Sequence, residues 1–583
     1  MDDQTPRTLC IVVRGWTDAS SGNPLTTKKG SLGVPQSFVD YIGHLNGVEV
    51  QVLALDMELF STKAPEELAR EITEKTNALF KPEIHKRLVF IGYSVGGPLL
   101  RYALMRAYGM GDGPNWPVAT WRRDDTPIRV LYLAGILRGW ELSTAIPDLI
   151  RFLAPPLLVF AKLYCGLKAR RAPFITHLRR GAPFVVEGRL MQIDLQKENG
   201  GALPFEQIQF LGTSDEFISP SDCIELGGDV SKQLFMELKS TNHHQMLVID
   251  PDPAHDTAEE MVKKAERAKI LKQAILGDFE EWRTDKFLVG PDDLNDYFDD
   301  LDRPHSTQLS QTSQGIKKAV IILHGIRDNG FWTKRIARKL KSQTVLLRAP
   351  SPSYGFFSLW DFAWRSRRDS QTRWFMDQYT NVRECYPAAA ISFVGHSNGT
   401  YLAAHAVYSC PAIKFDRIVF AGSVVRTDFS WHSHQDQVKN GVLNLKGTQD
   451  HVVSLLPGAM QRLGLWFLNV GGAGFHGFTE KCPNPSVQNV LVLGGHRAGV
   501  SEPVWSGIAQ FVESGHFSVS QPAMRPRGAE WIGRWSAAIF ALGLGAILAL
   551  LGWLVTLVWS GATLMAVLAV LGLFVTYVIF RHF

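Results

Sequence analysis

Two serines in this sequence lie in the pattern Gly-x-Ser-x-Gly, each directly after an apolar run. The stretch FVGHSNGTY contains Ser397, and the stretch FIGYSVGGP contains Ser94. A serine hydroxyl becomes a nucleophile when a neighbouring base takes its proton and a third group orients that base. The bare pattern also arises by chance, but a strand before each serine and a helix after it predict the sharp turn that exposes such a hydroxyl.

The segments around each serine predict alternating strands and helices. In the first half, the β-branched runs TLCIVVRGW, VEVQVLALDM and RLVFIGYSVGG alternate with helical spacing in PEELAREITEKTNALF and PLLRYALMRAY. After a stretch rich in acidic residues, Ser, Thr and Gln, the alternation restarts with KKAVIILHGIRDNGFW and AAAISFVGHSNG. Such alternation favours a mostly parallel sheet flanked by helices. The sequence therefore predicts two tandem α/β units, an internal repeat of one architecture.

These patterns also predict where the units begin and end. We place a first α/β domain at 1–285, a linker at 286–315, a second α/β domain at 316–520 and a membrane hairpin at 531–583. The first domain has a much longer segment downstream of its serine than the second has. Extra length at this point predicts a cap insertion, at about 110–205, that covers the site.

Each half resembles an α/β-hydrolase of the esterase and lipase kind, over about 7–280 and 317–517. The resemblance implies a nucleophile elbow at each serine, followed along the chain by an acid and then a histidine. In the second half, LNLKGTQDHVV places Asp450 after a strand and VLVLGGHRAG places His496 after the last one. The implied triad is Ser397, Asp450 and His496, with Asp436 and His476 as rivals farther from strand ends.

In the first half, the resemblance implies Ser94 as nucleophile and Asp215, in FLGTSDEFISPSD, as acid. The stretch FMELKSTNHHQML offers both His243 and His244 as base. Either one fits the pattern, with His243 slightly favoured.

The resemblance also implies backbone donors for the oxyanion that forms on the substrate carbonyl. In the second half these are the N–H groups of Asn398 and Ile326. Ile326 lies in the loop ILHGIRDNG, which matches the family's His-Gly loop. In the first half they are those of Val95 and Trp16, but Arg14 stands where the family usually has histidine. That departure favours the second domain as the active one.

Composition argues against a nucleic-acid partner and against a metal or cofactor. The 583 residues are 45% hydrophobic and 20% charged, with a formal net charge of +5. This charge is too weak to favour nucleic acid as a partner. The six cysteines are scattered, without a C-x-x-C pair or a metal-like pairing with histidine, so neither a metal nor a cofactor is expected and a reducing compartment is favoured.

The C-terminal region has no charged residue from Trp535 to Phe580. That length predicts two membrane spans, near Trp535 to Trp559 and near Leu564 to Phe580, with a turn at Ser560 and Gly561. Arginines flank the pair on both sides, so the positive-inside rule places both ends in the cytoplasm. The N-terminal stretch lacks the features of a secretory signal. We therefore expect an integral membrane protein, partnered by the lipid bilayer, whose hydrolase domains face the cytoplasm.

Two further segments bear on the substrate. The apolar run from Phe152 to Cys165 in the cap is too short to span a bilayer; it fits a membrane-surface or acyl-pocket segment and an ordinary cap helix equally. The run GFFSLWDFAWRSRRDSQTRWFMDQY interleaves tryptophans and arginines. It fits contact with anionic lipid headgroups, nucleic-acid stacking, or a packed helix with a solvated basic face.

The leading hypothesis is a membrane-anchored serine hydrolase that cleaves an ester or thioester, with a lipid or acylated molecule as the expected substrate. One alternative is a serine acyltransferase, in which an alcohol replaces water. The other is a non-catalytic or half-catalytic hydrolase-fold platform for binding or assembly at the membrane, since fold does not fix function.

Overall fold

The chain divides into two compact units, Met1–Gln311 and Thr312–Phe583. The computed structural model describes residues 7–15, 34–57, 61–113, 116–141, 173–225, 230–282, 315–326, 330–342, 347–355, 358–480, 485–518 and 524–558. The predicted linker at 286–315, except Gly315, lies outside these residues, as does the apolar cap run from Phe152 to Cys165.

The first unit is built on a six-stranded parallel sheet. Its strands are β1 (Arg7–Val13), β2 (Val48–Leu53), β3 (His85–Tyr93), β4 (Ile128–Leu133), β5 (Glu206–Gly212) and β6 (Gln233–Leu238). Their order across the sheet is β2-β1-β3-β4-β5-β6, and each neighbouring pair is parallel. The interior strand β1 is fully buried from Leu9 to Val13, as its continuous apolar run indicates for a strand covered on both faces.

Helices lie between these strands along the chain, and two more follow the last strand. They are α1 (Gln36–Gly43), α2 (Pro65–Leu79), α3 (Gly96–Ala107), α4 (Pro183–Glu198), α5 (Pro220–Cys223), α6 (Ala258–Leu276) and α7 (Phe279–Trp282). The helix α4 belongs to the predicted cap insertion and packs against α3, the helix that follows Ser94. The described part of the insertion is therefore joined to the body of the unit beside the elbow helix.

The second unit repeats this topology. Its strands are β7 (Lys318–Leu323), β8 (Leu347–Arg348), β9 (Ala390–His396), β10 (Ile418–Ala421), β11 (Val442–Gly447) and β12 (Val487–Val492). They form a parallel sheet in the order β8-β7-β9-β10-β11-β12. This is the first unit's order, strand for strand. The prediction of two parallel-sheet α/β units flanked by helices is confirmed, and both units fit the α/β-hydrolase fold.

The second unit's helices are α8 (Phe331–Lys341), α9 (Leu359–Ala363), α10 (Arg365–Cys385), α11 (Asn398–Ser409), α12 (His451–Leu455), α13 (Pro457–Arg462), α14 (Ala473–His476), α15 (Glu502–Ser514) and α16 (Arg527–Val558). The run GFFSLWDFAWRSRRDSQTRWFMDQY, which fitted lipid headgroups, nucleic acid or a packed helix, falls mainly on α10. On this helix Arg368 is buried, with its guanidinium 5.0 Å from the centroid of the Tyr401 ring. At least this arginine is part of a packed helix.

The helix α16 begins against the second unit and continues beyond it. Its first turns pack on α12 and α13, and Ala529 and Ser536 are buried there. Among the described residues, no helix is long and apolar enough to cross a bilayer. The predicted span from Trp535 to Trp559 therefore lacks support, and the second, from Leu564 to Phe580, lies outside the described residues.

Candidate active site

In the first unit, the turn between β3 and α3 holds Ser94 in a strained conformation. Ser94 has φ +53°, a left-handed value that costs a non-glycine residue free energy and that recurs at functional turns. A Cβ on Gly96 would lie 2.5 Å from the carbonyl oxygens of both Val13 and Arg14. Only glycine lets the elbow approach the end of β1 this closely.

Ser94 lies at one end of a chain of hydrogen-bonding groups. Its Oγ is 3.2 Å from His243 Nε2, and His243 Nδ1 is 2.9 Å from Asp215 Oδ2. The second carboxylate oxygen of Asp215 accepts the backbone N–H groups of Phe217 and Ile218, at 3.0 and 2.9 Å. The Asp215 side chain is only 1% exposed and that of His243 only 7%. The structure thus brings the three predicted residues together in the arrangement of a serine, a base and an orienting acid.

The two adjacent histidines of the first unit have different surroundings. His243 contacts both Ser94 and Asp215, whereas His244 begins a short 3₁₀ turn, His244–Leu247, with its ring edge-on to Phe217. Burial, and then the neighbouring His243, lower the pKa of His244. Of the two candidates that the sequence left open, the structure places His243 next to the serine.

The second unit has the same elbow. Ser397 follows β9 with φ +52° and precedes α11, which begins at Asn398. A Cβ on Gly399 would lie 2.9 Å from the carbonyl oxygen of Leu323 and 3.0 Å from that of His324. The close approach of the elbow to the end of the first strand is therefore repeated.

The acid and base of the second unit are paired, but the link to the serine is missing. His496 Nδ1 lies 3.1 and 3.0 Å from the two carboxylate oxygens of Asp450, whose side chain is fully buried. Asp450 also accepts the Val453 N–H at 3.0 Å, which caps α12. Within the described residues, no hydrogen bond joins His496 to Ser397. Asp450 and His496 thus form the predicted acid–base pair, one contact short of the arrangement in the first unit.

The residue that follows the fourth strand is alanine in the first unit and glycine in the second. Ala134 follows β4 with φ +45°, and Gly422 follows β10 with φ +54°. A Cβ on Gly422 would lie 2.9 Å from His496 Cε1, Nδ1 and O alike. The His496 ring and carbonyl therefore rest against backbone where the first unit carries a methyl group. This is the local difference that accompanies the missing Ser397 contact.

The residue before each serine holds the loop that carries the histidine. Tyr93 Oη donates to the carbonyl of His243 at 3.1 Å, and the two rings stack with centroids 5.2 Å apart. His396 Nε2 likewise bonds to the carbonyl of His496 at 3.2 Å. Burial, and then the Asp215 carboxylate, raise the pKa of Tyr93, so its hydroxyl stays protonated and able to donate. Sequence reasoning missed both residues, because they occupy the unspecified position of the pattern.

The predicted oxyanion loops lie against the serines. An ideal Cβ on Gly15 would be 3.1 Å from Ser94 Cβ, and one on Gly325 would be 2.8 Å from Ser397 Cβ. Ile326 follows directly, whereas Trp16 lies outside the described residues. Val95 and Asn398 stand at the starts of α3 and α11, where backbone N–H groups lack partners within the helix.

The side chains that precede these glycines point to other partners. Arg14 is buried and donates to the carbonyl of Leu55 at 2.7 Å. His324 Nε2 lies 3.0 Å from Ser353 Oγ. Neither contact needs the serine, so replacing histidine by arginine at this position leaves the first elbow intact.

The rival candidates of the second unit lie elsewhere. Asp436 is exposed on the surface. His476 ends α14 beside Phe475, with ring centroids 4.9 Å apart, and within the described part of the chain no hydrogen bond or ring contact joins it to Ser397 or Asp450. Among the described residues, no cluster of three or more His, Cys, Asp or Glu side chains has the arrangement of a metal site.

Comparisons with known proteins give distant structural similarity. No family model matches the chain, and no curated protein matches it by sequence. Similar solved structures include the esterase PE8, at 13% identity over 35% of this chain and 94% of that one, with a TM-score of 0.24. Another is the poly(3-hydroxybutyrate) depolymerase LpqC from Bordetella parapertussis, at 15% identity over 35% and 83%, with a TM-score of 0.26.

A third is the phospholipase PlaB from Legionella pneumophila in complex with thio-NAD, at 12% identity over 47% of this chain and 64% of that one, with a TM-score of 0.27. With scores and identities this low, the fold assignment depends on the strand order and elbow geometry of the chain itself.

Proposed function

We propose that this protein is a serine hydrolase that cleaves a carboxylic ester or thioester, with Ser94 as nucleophile. The observation that supports this most is the unbroken chain from Ser94 Oγ through His243 to Asp215, with contacts of 3.2 and 2.9 Å. The sequence favoured the second unit as the active one, on the basis of Arg14. The hydrogen bonds favour the reverse assignment.

The proposed reaction has two steps. In the first, His243 Nε2 takes the Ser94 proton as Oγ attacks the acyl carbon, and the backbone N–H groups of Val95 and Trp16 receive the oxyanion. The intermediate collapses when His243 returns the proton to the leaving alcohol or thiol, which leaves an acyl ester on Ser94. In the second, water attacks this ester with the same base and releases a carboxylic acid. Asp215 keeps the Nδ1 proton facing itself, so Nε2 is free to accept.

A fluorophosphonate probe tests the nucleophile. We expect Ser94→Ala to abolish most labelling of the full-length protein and Ser397→Ala to leave most of it. Labelling that disappears only with Ser397→Ala would assign the reaction to the second unit instead. Labelling that survives in the double variant would contradict both serines.

One observation favours a second, half-catalytic version of this function. Since no hydrogen bond joins His496 to Ser397 in the described residues, the second unit is the better candidate for a binding or regulatory role. In that case the double variant and Ser94→Ala would lose hydrolysis equally. A substantial turnover remaining in Ser94→Ala alone would show that both units are enzymes.

We also propose that the substrate is lipid-like and that the protein is bound to a membrane through its C-terminal region. Support comes from α16, where every described side chain from Ala541 to Trp553 is exposed and none is charged. A helix that is apolar all round needs an apolar environment. Activity on a long-chain acyl ester should exceed that on an acetyl ester, and the opposite ranking would contradict the lipid assignment.

The proposed topology places the hydrolase units in the cytoplasm. Arginines before and after the uncharged C-terminal region support this orientation. An accessibility tag inserted between Ser560 and Gly561 should react from outside the cell. Reaction only after permeabilisation would contradict the hairpin.

A further inference from the structure

Four nitrogen-bearing side chains gather where α16 leaves the second unit. Lys446 is on β11, Arg462 ends α13, His476 ends α14 and Arg525 lies two residues before the start of α16. The short helix α14 packs on β11, and α16 packs on α13. Four separate parts of the chain therefore bring basic groups to the start of the C-terminal helix α16.

Contacts fix three of these side chains. Arg525 Nη2 donates to the carbonyl of Phe475 at 2.7 Å, with its guanidinium 3.8 Å from the centroid of that ring. The His476 ring lies 4.9 Å from the same ring. Arg462 Nη1 donates to the carbonyls of Gly533 and Arg534 on α16, at 2.6 and 2.8 Å. The cluster is thus organised around Phe475 and the first turns of α16.

The charges of this cluster are only partly offset by acidic groups. Among the described residues, Lys446, Arg462 and Arg525 form no ion pair. The acidic groups that act on Arg525 are Glu530 and Asp450, and Asp450 is already paired with His496. Gathering like charges in partly buried positions is unfavourable unless an anion offsets them.

Two nitrogen atoms of the cluster also lack partners. Arg525 Nε and His476 Nε2 are buried without a hydrogen bond in the described part of the chain. Burial, followed by the charges of Arg462, Arg525 and Lys446, lowers the pKa of His476 to about 4. The ring is therefore neutral at pH 7 and can donate from Nε2. A buried donor without an acceptor is costly, which favours an acceptor at this point.

The surroundings indicate where such an anion would come from. Trp531 and Trp535 on α16 are 59% and 50% exposed, and further along the helix lie the exposed apolar residues from Ala541 onward. Indole rings favour the boundary between lipid and water. Basic groups beside such a boundary attract anionic headgroups.

We propose that Lys446, Arg462, His476 and Arg525 form a binding site for the phosphate of an anionic phospholipid headgroup. The cationic groups supply charge, and Arg525 Nε and His476 Nε2 supply donors that are otherwise unused. The site adjoins the acid of the second triad, because Lys446 lies four residues before Asp450 on the same connection. It does not depend on hydrolysis at either serine.

Lys446→Gln is the most suitable variant, since the Lys446 ammonium makes no hydrogen bond in the described structure and the amide keeps much of its length. The full-length protein in an uncharged detergent is titrated with short-chain diether phosphatidylglycerol, which has no ester to cleave, and binding is followed by calorimetry. We expect Lys446→Gln to weaken binding about fivefold, from about 1 kcal/mol per basic residue near a headgroup. Lys446→Arg should retain the affinity.

The remote control is Lys334→Gln, which removes the same charge from an exposed position on α8 and should leave binding unchanged. Equal weakening by both glutamine variants would show a non-specific charge effect and overturn the site. Unchanged lipid binding in Lys446→Gln would also overturn the site. Inorganic phosphate that binds as tightly as the lipid, and displaces it, would overturn the headgroup assignment. Thermal unfolding of each variant shows that it is folded. A protein that loses fluorophosphonate labelling can still be titrated with the lipid, so the two proposals can fail separately.

Discussion

At the scale of single residues, the two sites differ where the fourth strand of each sheet ends. Ala134 and Gly422 both have positive φ there, +45° and +54°. Only the glycine lets the ring and carbonyl of His496 lie against the strand end. His243, beside the alanine version, bonds to both its serine and its acid. We interpret this position as one that sets where the imidazole rests.

Exchanging the two residues tests this interpretation. In Gly422→Ala the new methyl would start 2.9 Å from three atoms of His496, so the ring must move away from the strand end. We expect the movement to bring it toward Ser397 and to raise the fluorophosphonate labelling rate of Ser397 at least about tenfold, within the range that a positioned base contributes. The measurement is made in the Ser94→Ala background.

The converse variant, Ala134→Gly, should slow the labelling of Ser94 in the Ser397→Ala background. A Gly422→Ala protein that is folded but labels more slowly would show that His496 needs its present position.

Tyr93→Phe isolates the hydrogen bond that holds the His243 loop. It removes the donor to the His243 carbonyl but keeps the stacked ring, so we expect kcat/KM to fall about three- to tenfold and the free energy of unfolding to fall by about 1 kcal/mol. Tyr41→Phe is a matched control, because Tyr41 Oη donates to the Ala268 carbonyl at 2.9 Å in the same unit. It should lower stability similarly without changing the labelling rate. If both variants slow labelling equally, Tyr93 is only structural.

At the scale of secondary-structure elements, each elbow depends on how closely a helix start approaches the first strand. A methyl group on Gly96 would lie 2.5 Å from the carbonyl oxygens of Val13, the last residue of β1, and of Arg14, so the end of the strand would have to shift. Gly96→Ala should therefore lose labelling of Ser94 and destabilise the first unit by roughly 1–3 kcal/mol.

Gly188→Ala provides the comparison for this change. Gly188 lies within α4, and its nearest neighbours would be 3.6 Å or more from the new methyl group. Alanine should stabilise this helix by up to about 1 kcal/mol, through its higher helix propensity. Chemical denaturation separates the two variants, and equal effects would contradict the role of the close approach.

Much of this arrangement could be predicted from periodicity. Apolar runs predicted the strands, and their alternation with helices predicted a parallel sheet, whose carboxyl edge gathers loops from distant parts of the chain. Position after a strand selected Asp215, Asp450 and His496. His243 was only slightly favoured over His244, because the sequence does not show in which direction each of two neighbouring side chains in a turn points. The roles of Tyr93 and Gly422 could not be seen either, since they depend on contacts with a carbonyl or a ring far along the chain.

At the scale of the whole molecule, a half-buried histidine makes stability depend on pH. His405 stacks on Tyr401 with centroids 3.9 Å apart and accepts Asn469 Nδ2 at 3.2 Å through Nε2. Burial, and then the charge of Arg368, lower the pKa of His405 to about 3. The unfolded chain, with an ordinary pKa near 6.5 for histidine, therefore takes up this proton first as the pH falls.

The sign of the effect follows from this order. The contribution of His405 is complete above about pH 6.5 and is lost progressively down to about pH 3, at up to about 1.4 kcal/mol per pH unit. Hydrogen exchange of α11 should therefore become faster relative to its intrinsic rate between pH 7 and pH 5. His405→Gln, which keeps an acceptor for Asn469, should reduce this dependence. An unchanged pH dependence in that variant would contradict the assignment.

The two sheets with one strand order have a consequence for regulation. Because both units are on one polypeptide, a cell makes them in equal number, at the same time and in the same place. Neither can be expressed, delivered or degraded without the other. Any difference in their output must then be set by local chemistry within each unit. Ala134 and Gly422, which differ by a single methyl group, are one place where sequence change can adjust that ratio.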